Sequence, residues 1–253
     1  MSLSEHNGSR LICHYCGYET VKPQVCPSCG SPHIGGFKAG TQQIEKVLEK
    51  DFPEARVLRM DFDTTRTKDS YEKILASFSR HEADILVGTQ MIVKGHDFPD
   101  VTLVGVIAAD LSLNMDDYHC GERTFQLLTQ AVGRAGRGAK PGRAVIQTYQ
   151  PEHYSIQAAA TQDYGKYYKE EMSYRMLMDY PPAAHMMTVF GACQDEELLK
   201  KAMYYIEVFI RRVSPKEELH MIGPAAASVG KVKDVYRQVL HLKHVDMVFL
   251  TAV

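Results

Sequence analysis

The sequence predicts an α/β protein: a mainly parallel sheet with helices on both faces, preceded by a cysteine-knuckle segment and followed by a small α+β domain. Three observations carry this expectation. Cys13, Cys16, Cys26 and Cys29 form two CxxC pairs near the start. Helical and strand periods then alternate as far as residue 150. Past Pro151 the pattern changes to a long helical run, a strand and a strongly amphipathic helix.

Composition sets the bounds. The chain has 253 residues, is 45% hydrophobic and lacks Trp, which is enough to bury a core and to build one large or two modest domains. No run approaches the roughly 18 apolar residues of a membrane span. The polar opening MSLSEHNGSR lacks the apolar stretch of a signal peptide, so the expected location is cytoplasmic, with no membrane contact. A formal net charge of -2 excludes a uniformly basic nucleic-acid coat. A polyanion would have to be gripped by local clusters, such as Arg134, Arg137, Lys140 and Arg143, or Lys231, Lys233 and Arg237. Charge runs of this kind are more often solvated faces.

Residues 1–36 form the knuckle segment. Each CxxC can fold into a turn whose two thiolates converge on one cation, and four thiolates complete the tetrahedral shell of structural zinc at about 2.3 Å. Gly17, Pro27 and Gly30 suit such turns. Two disulfides are the alternative, which the lack of a signal peptide disfavours. A redox-active CxxC would need a thioredoxin-like unit around it, and none is evident. Cys120 and Cys193 read as ordinary small apolar residues.

Residues 37–150 form the α/β lobe. TQQIEKVLEKDF places Ile44, Val47 and Leu48 on one helical face behind a Thr41 cap, and ARVLRMD follows as a short strand. DSYEKILASFSR reads as a helix capped by Asp69, with Tyr71, Ile74, Leu75 and Phe78 inward. ADILVGTQ, VTLVGVIAAD and GRAVIQTY are apolar runs of the kind buried on both faces of a parallel sheet. Residues 151–182 read as a long helical connector ended by Pro181 and Pro182, with Tyr164, Tyr167 and Tyr168 on one face. Residues 183–253 form the small α+β domain. HMMTVFGA and VYRQVLHLK are its strands, and its helix buries Leu198, Leu199, Ala202, Met203, Ile206, Phe209 and Ile210.

Ligands of such a sheet are expected outside the carboxyl ends of the strands. Two segments are placed there. In GTQMIVKGHDFPDV, Thr89 can hydrogen-bond a phosphate, Gly95 permits close backbone approach, and Asp97 can accept from a sugar hydroxyl. In QAVGRAGRG, Gln130, Arg134 and Arg137 follow a helix. Arginine offers phosphate oxygens a planar fork, and Gly133, Gly136 and Gly138 let the backbone come close. A surface salt-bridge role is the default for an arginine pair. The glycine-flanked spacing argues against it.

At these residues the chain resembles known proteins. GTQMIVKGHDFPDV and QLLTQAVGRAGRG resemble motifs V and VI of superfamily-two helicases. Together with the cysteine pairs, AGTQQIEKVLEKDFPEARVLRMDFDTT, SYRMLMDYPP and GPAAASVGKVKDVYRQVLHLK resemble the primosomal protein N-prime family of bacterial replication restart. The resemblance implies a RecA-like second motor lobe, a zinc-binding insertion and a C-terminal domain. It further implies ATP-dependent 3′ to 5′ DNA helicase activity, with ATP and magnesium used by the intact protein. Branched or single-stranded DNA, single-stranded DNA-binding protein and other primosome proteins are the implied partners. Arg134 and Arg137, with Gln130, would then face the nucleotide phosphates as arginine fingers do, beside Gly95 and Asp97. Thr89, Gln90 and Lys94 would face DNA. Departures matter as well. Neither GxxxxGK[ST] nor a DExH box occurs, so the chain looks like a C-terminal portion without the first motor lobe. The family carries four CxxC pairs interleaved into two zinc sites, whereas this chain has two pairs. Each site is then half built, unless the four thiolates regroup on one ion. The alternative function is a zinc-bearing platform for DNA and proteins without motor activity.

Overall fold

The computed structural model describes residues 4–6, 10–12, 19–27, 29–32, 40–61, 63–65, 68–93, 98–114, 117–214 and 219–252. They divide between two compact units, one of residues 37–171 and one that joins 1–36 to 172–253.

The chain opens with three short antiparallel strands that the sequence reading did not expect. They are β1 (Ser4–His6), β2 (Arg10–Ile12) and β3 (Glu19–Val21), in the order β1-β2-β3.

In the 37–171 unit, α1 (Thr41–Asp51) leads to β4 (Val57–Met60), and α2 (Lys68–Ser79) leads to β5 (Ile85–Gly88). β4 and β5 pair in parallel from Val57↔Ile85 to Met60↔Gly88. Both helices pack on β4. Gly40 holds the N-cap position of α1, one residue ahead of the expected cap. The Thr41 hydroxyl instead donates to Asp61 Oδ2 at 2.5 Å. Val47, expected inward, is exposed. α2 starts ahead of Asp69, which lies in its first turn, and Leu75 is its buried anchor.

A short 3₁₀ turn (Gln90–Val93) leaves β5. The chain continues through β6 (Leu103–Val106), α3 (Asp110–Leu113) and α4 (Cys120–Val132) to β7 (Arg143–Ile146). β6 and β7 pair in parallel from Leu103↔Arg143 to Val106↔Ile146. Among the described residues the parallel sheet is thus seen as two pairs. β6 and β7 are not buried on both faces, as their apolar runs had suggested. α4 covers the side of Val106 and Ile146, while Leu103 is 63% exposed on the other side.

The helical segment beyond Pro151 folds as two helices rather than one, α5 (Tyr154–Ala160) and α6 (Tyr164–Leu177). Gln162 adopts a left-handed φ of 53°, and the Asp163 carboxylate accepts from Lys166 N to restart the helix. α5 packs on α4, and Ile156, Ala158, Ala159 and Tyr167 join Phe125 and Leu128 in one core. Of the three tyrosines expected on one face, Tyr167 is buried, stacked on Phe125 with centroids 4.1 Å apart, while Tyr164 and Tyr168 are exposed.

The other unit contains an antiparallel sheet of β8 (His185–Cys193), β9 (His220–Val232) and β10 (Val235–His244), in the order β8-β10-β9. One face is covered by α7 (Glu196–Val213) and α8 (Met247–Ala252). Asp195 caps α7 by accepting from Leu198 N at 3.0 Å. The face α7 buries is narrower than expected. Leu199, Met203 and Ile210 are buried, whereas Leu198 is 58% and Phe209 50% exposed. A three-stranded sheet covers only one arc of a helix, and these two side chains lie beyond it.

Candidate functional site

Chain direction determines where the arginines sit. The crossover leaves β6 at its carboxyl end and must return to the amino end to enter β7 in parallel. Accordingly Gly136 N, just after α4, donates to Val101 O at 2.9 Å, and Arg143 N donates to Thr102 O at 2.8 Å, both ahead of β6. Arg134 and Arg137 therefore lie at the amino ends of β6 and β7. This corrects the expectation of the carboxyl ends.

The glycines of the loop serve chain crossing. Gly136, at φ +74°, lies so close to Gly142 that a Cβ on either would meet the other's backbone, and a Cβ on Gly138 would meet the Pro99 carbonyl. The arginine loop is thereby clamped between the Pro99–Thr102 segment and the entry to β7.

The two arginines differ in setting. Arg134 is half-buried, and its Nη2 donates to Val93 O at 2.7 Å, while its Nε is buried without a hydrogen-bond partner. A charged donor to a carbonyl contributes about 1.5–3 kcal/mol. Arg134 thus ties the loop to the 3₁₀ turn that follows Thr89. Arg137 is exposed at the head of the loop, and its Nε donates to Gly133 O at 2.6 Å. Gln130 is exposed on the last turn of α4.

Thr89 and Gln90 are exposed at the carboxyl end of β5. Gly88 ahead of them is required, since a Cβ there would lie 2.5 Å from Met60 O. Lys94, Gly95 and Asp97 lie outside the described residues, as do Cys13 and Cys16. In the second CxxC, Gly30 N donates to Cys26 O at 2.8 Å and Cys26 N donates to Ser31 O at 2.9 Å, with Gly30 at φ +70°. This closed turn suits the knuckle of a thiolate pair. Cys29 is an exposed free thiol. Among the described residues no three His, Cys, Asp or Glu side chains cluster as a metal site would require.

Two buried carboxylates at strand ends escaped the sequence reading. Asp110, after β6, accepts from the Thr148 hydroxyl at 2.8 Å and from Tyr149 N at 2.9 Å, joining the carboxyl ends of β6 and β7. Burial pushes its pKa up, but these hydrogen bonds outweigh it and hold the carboxyl below its usual range. Asp61, after β4, is likewise pushed up by burial. Hydrogen bonds from Thr41 and Thr64 N and the Arg59 guanidinium at 3.4 Å bring it below its usual range. Their signal was an Asp at the end of an apolar run, directly after β4 for Asp61, where hydroxyl residues follow, and after Ile107–Ala109 for Asp110.

Residues 36–139 match the family of the helicase conserved C-terminal domain. Along its length the chain is similar to replication restart protein PriA. It is 45% identical to the Bacillus subtilis protein over 254 aligned residues, covering 100% of this chain and 31% of the relative. With the Synechocystis protein it shares 43% over 249 residues, 96% of this chain and 30% of the relative. With that of Thermotoga maritima it shares 35% over 248 residues, 98% of this chain and 33% of the relative. The resemblance read from the motifs is borne out, and the chain spans about a third of the length of these relatives. Among the described residues no helix is long and apolar enough to cross a membrane.

Proposed function

We propose that the chain is the second motor lobe, with an attached domain, of an ATP-driven DNA helicase that works 3′ to 5′ in replication restart. The observation that carries this reading is the glycine-clamped loop that holds Arg137 exposed beside a half-buried Arg134. In this reading Arg137 reaches the phosphates of an ATP held by another lobe and stabilises charge that develops during phosphoryl transfer, with Gln130 beside it. Arg134 links that loop to the 3₁₀ turn after Thr89. A shift of the loop on nucleotide binding is then carried to Thr89, Gln90 and Lys94, which face DNA. Gly95 and Asp97 complete the nucleotide side. Branched or single-stranded DNA is the substrate, and single-stranded DNA-binding protein and other primosome proteins are partners.

A platform for DNA and proteins is the second reading. It is favoured for the chain taken alone, because its sequence has neither GxxxxGK[ST] nor DExH. The two readings meet in one assay. The purified chain is expected to show no magnesium-dependent ATP hydrolysis above background, with or without DNA, and to gain it only when joined to a lobe that supplies the phosphate loop. Hydrolysis by the chain alone would overturn the assignment.

Cys13, Cys16, Cys26 and Cys29 are proposed to hold zinc, which supplies structural cross-linking of the knuckles. Metal analysis of protein purified without chelators is expected to give about one equivalent. Less than about half an equivalent would instead favour pairs belonging to two sites, or disulfides.

A further inference from the structure

The amino end of α4 holds a buried carboxylate to which the motor reading gives no role. Glu171, on α6, is 4% exposed, and its Oε2 accepts from the Tyr154 hydroxyl of α5 at 2.7 Å. Burial, and then the carboxylate beside it, push the Tyr154 pKa up, so the hydroxyl stays a donor. Both groups close on the first turn of α4. A Cβ on Gly121 would lie 2.8 Å from the Tyr154 hydroxyl oxygen, 3.0 Å from Glu171 Oε2 and 3.2 Å from the Oγ of fully buried Ser155, so the absence of a side chain lets these three oxygens approach.

Side chains of the α5–α6 segment reach α4 at two further heights. One turn along, Tyr167 stacks on Phe125 with the rings within 9° of parallel. At the far end, Gln162 Nε2 is 3.4 Å from where Gly133 would carry a Cβ. Gly133 ends α4, and its carbonyl accepts from Arg137. The segment therefore meets α4 at its start, along its length and at its end. A stacked pair of rings tolerates sliding, since offset arrangements are all favourable. A carboxylate at a helix N-terminus does not, because the first-turn amides attract it along the axis.

We infer that Glu171 is a positioning residue for the arginine loop: seated with Tyr154 against the first turn of α4, it sets the axial register of that helix and with it the place of Arg137. A rigid helix carries a displacement from Gly121 to Gly133, over about 18 Å. A buried charge adds little net stability over an apolar side chain of similar volume, whereas fixing a register is the best-attested use of such groups. Misplacement by about 1 Å at a reacting centre costs up to about 10²-fold in rate. The inference deepens the reading of Arg137 as a finger and rests on it.

The test combines steady-state ATP hydrolysis with hydrogen exchange in a full-length protein that contains this segment. Glu171→Gln keeps the shape and an acceptor for Tyr154 but removes the charge. It is expected to lower kcat roughly tenfold, with KM for ATP and DNA affinity unchanged. Exchange of the Gly136 amide, bonded to Val101 O at the far end of α4, is expected to quicken in the same variant. Gly121→Ala keeps the charge but pushes the first turn off its seat, and the same pattern is expected. Leu75→Val thins the buried anchor of α2 in the same unit. It is expected to lower the melting temperature and keep kcat per folded molecule, which separates register from general packing. Parental kcat in Glu171→Gln or Gly121→Ala overturns the inference, as does a loss confined to melting temperature. Exchange that quickens beside Gly121 but not at Gly136 overturns it too. None of these outcomes touches the finger reading, which falls only if Arg137→Ala hydrolyses ATP at the parental rate, and that result removes both.

Discussion

Arg137→Ala, placed in a full-length protein that contains this segment, is expected to lower kcat for DNA-stimulated ATP hydrolysis by roughly 10³-fold, with little change in DNA affinity. A finger acts on charge present only in the transition state, so its loss falls on kcat rather than on ground-state binding. The structure sharpens the prediction by separating two roles. Arg137 is exposed, and its Nε bond to Gly133 O is at the surface, so the variant is expected to melt within a few degrees of the parent. Arg134→Ala loses a bond to Val93 O inside the lobe and leaves that carbonyl short of a donor, so it is expected to cost about 2 kcal/mol of stability as well as activity. Arg137→Lys keeps the charge but not the planar fork and should recover little. The assignment fails if Arg137→Ala hydrolyses ATP at the parental rate per folded molecule. It fails equally if only its melting temperature falls.

Much of this arrangement was legible in the sequence, and the illegible parts have definite causes. Each of the four short parallel strands was foreseen, because an apolar run between a helical period and a turn leaves few alternatives. What a neighbour covers was not. The apolar arc of α7 includes Leu198 and Phe209, but periodicity fixes only that an arc exists, and the sheet selects the part holding Leu199, Met203 and Ile210. β9 was not assigned as a strand because GPAAASVGKV is rich in small residues and lacks the β-branched alternation that marks one. The break between α5 and α6 depends on Gln162 at positive φ, a conformation no local pattern advertises. The location of the arginine loop is a different case. A helix that joins two parallel strands must return to their amino ends, so the position of Arg134 and Arg137 followed from element order alone. The general preference for carboxyl-end sites pointed the other way, and chain geometry decides. The glycines of GRAGRG were also open to misreading. Read as room for a phosphate, they serve first as room for the chain itself.

That last point has a direct consequence for stability. Gly142→Ala is expected to destabilise the 37–171 unit by about 3 kcal/mol, near the upper end for overpacking, although it adds a single methyl group. The added Cβ would overlap Gly136 N and the Ala135 carbonyl carbon and come within 2.5 Å of Gly136 Cα, all of them backbone atoms that no rotamer change can move aside. Relief requires the loop to lift from the entry to β7. That strains the bonds from Gly136 N to Val101 O and from Arg143 N to Thr102 O, each contributing about 1 kcal/mol. Lifting the loop also displaces Arg134 and Arg137 together, so ATP hydrolysis in the full-length protein should fall even in molecules that remain folded. Gly105→Ala is the control. It lies in β6, its Cβ would meet nothing within 4 Å, and replacing a strand glycine there should be neutral or stabilising by about 0.5 kcal/mol. Thermal melts of the two variants beside the parent decide the matter. A fall of several degrees for Gly142→Ala with none for Gly105→Ala is the expected pattern. If Gly142→Ala melts with the parent, the close crossing of Gly136 and Gly142 is not what clamps the arginine loop.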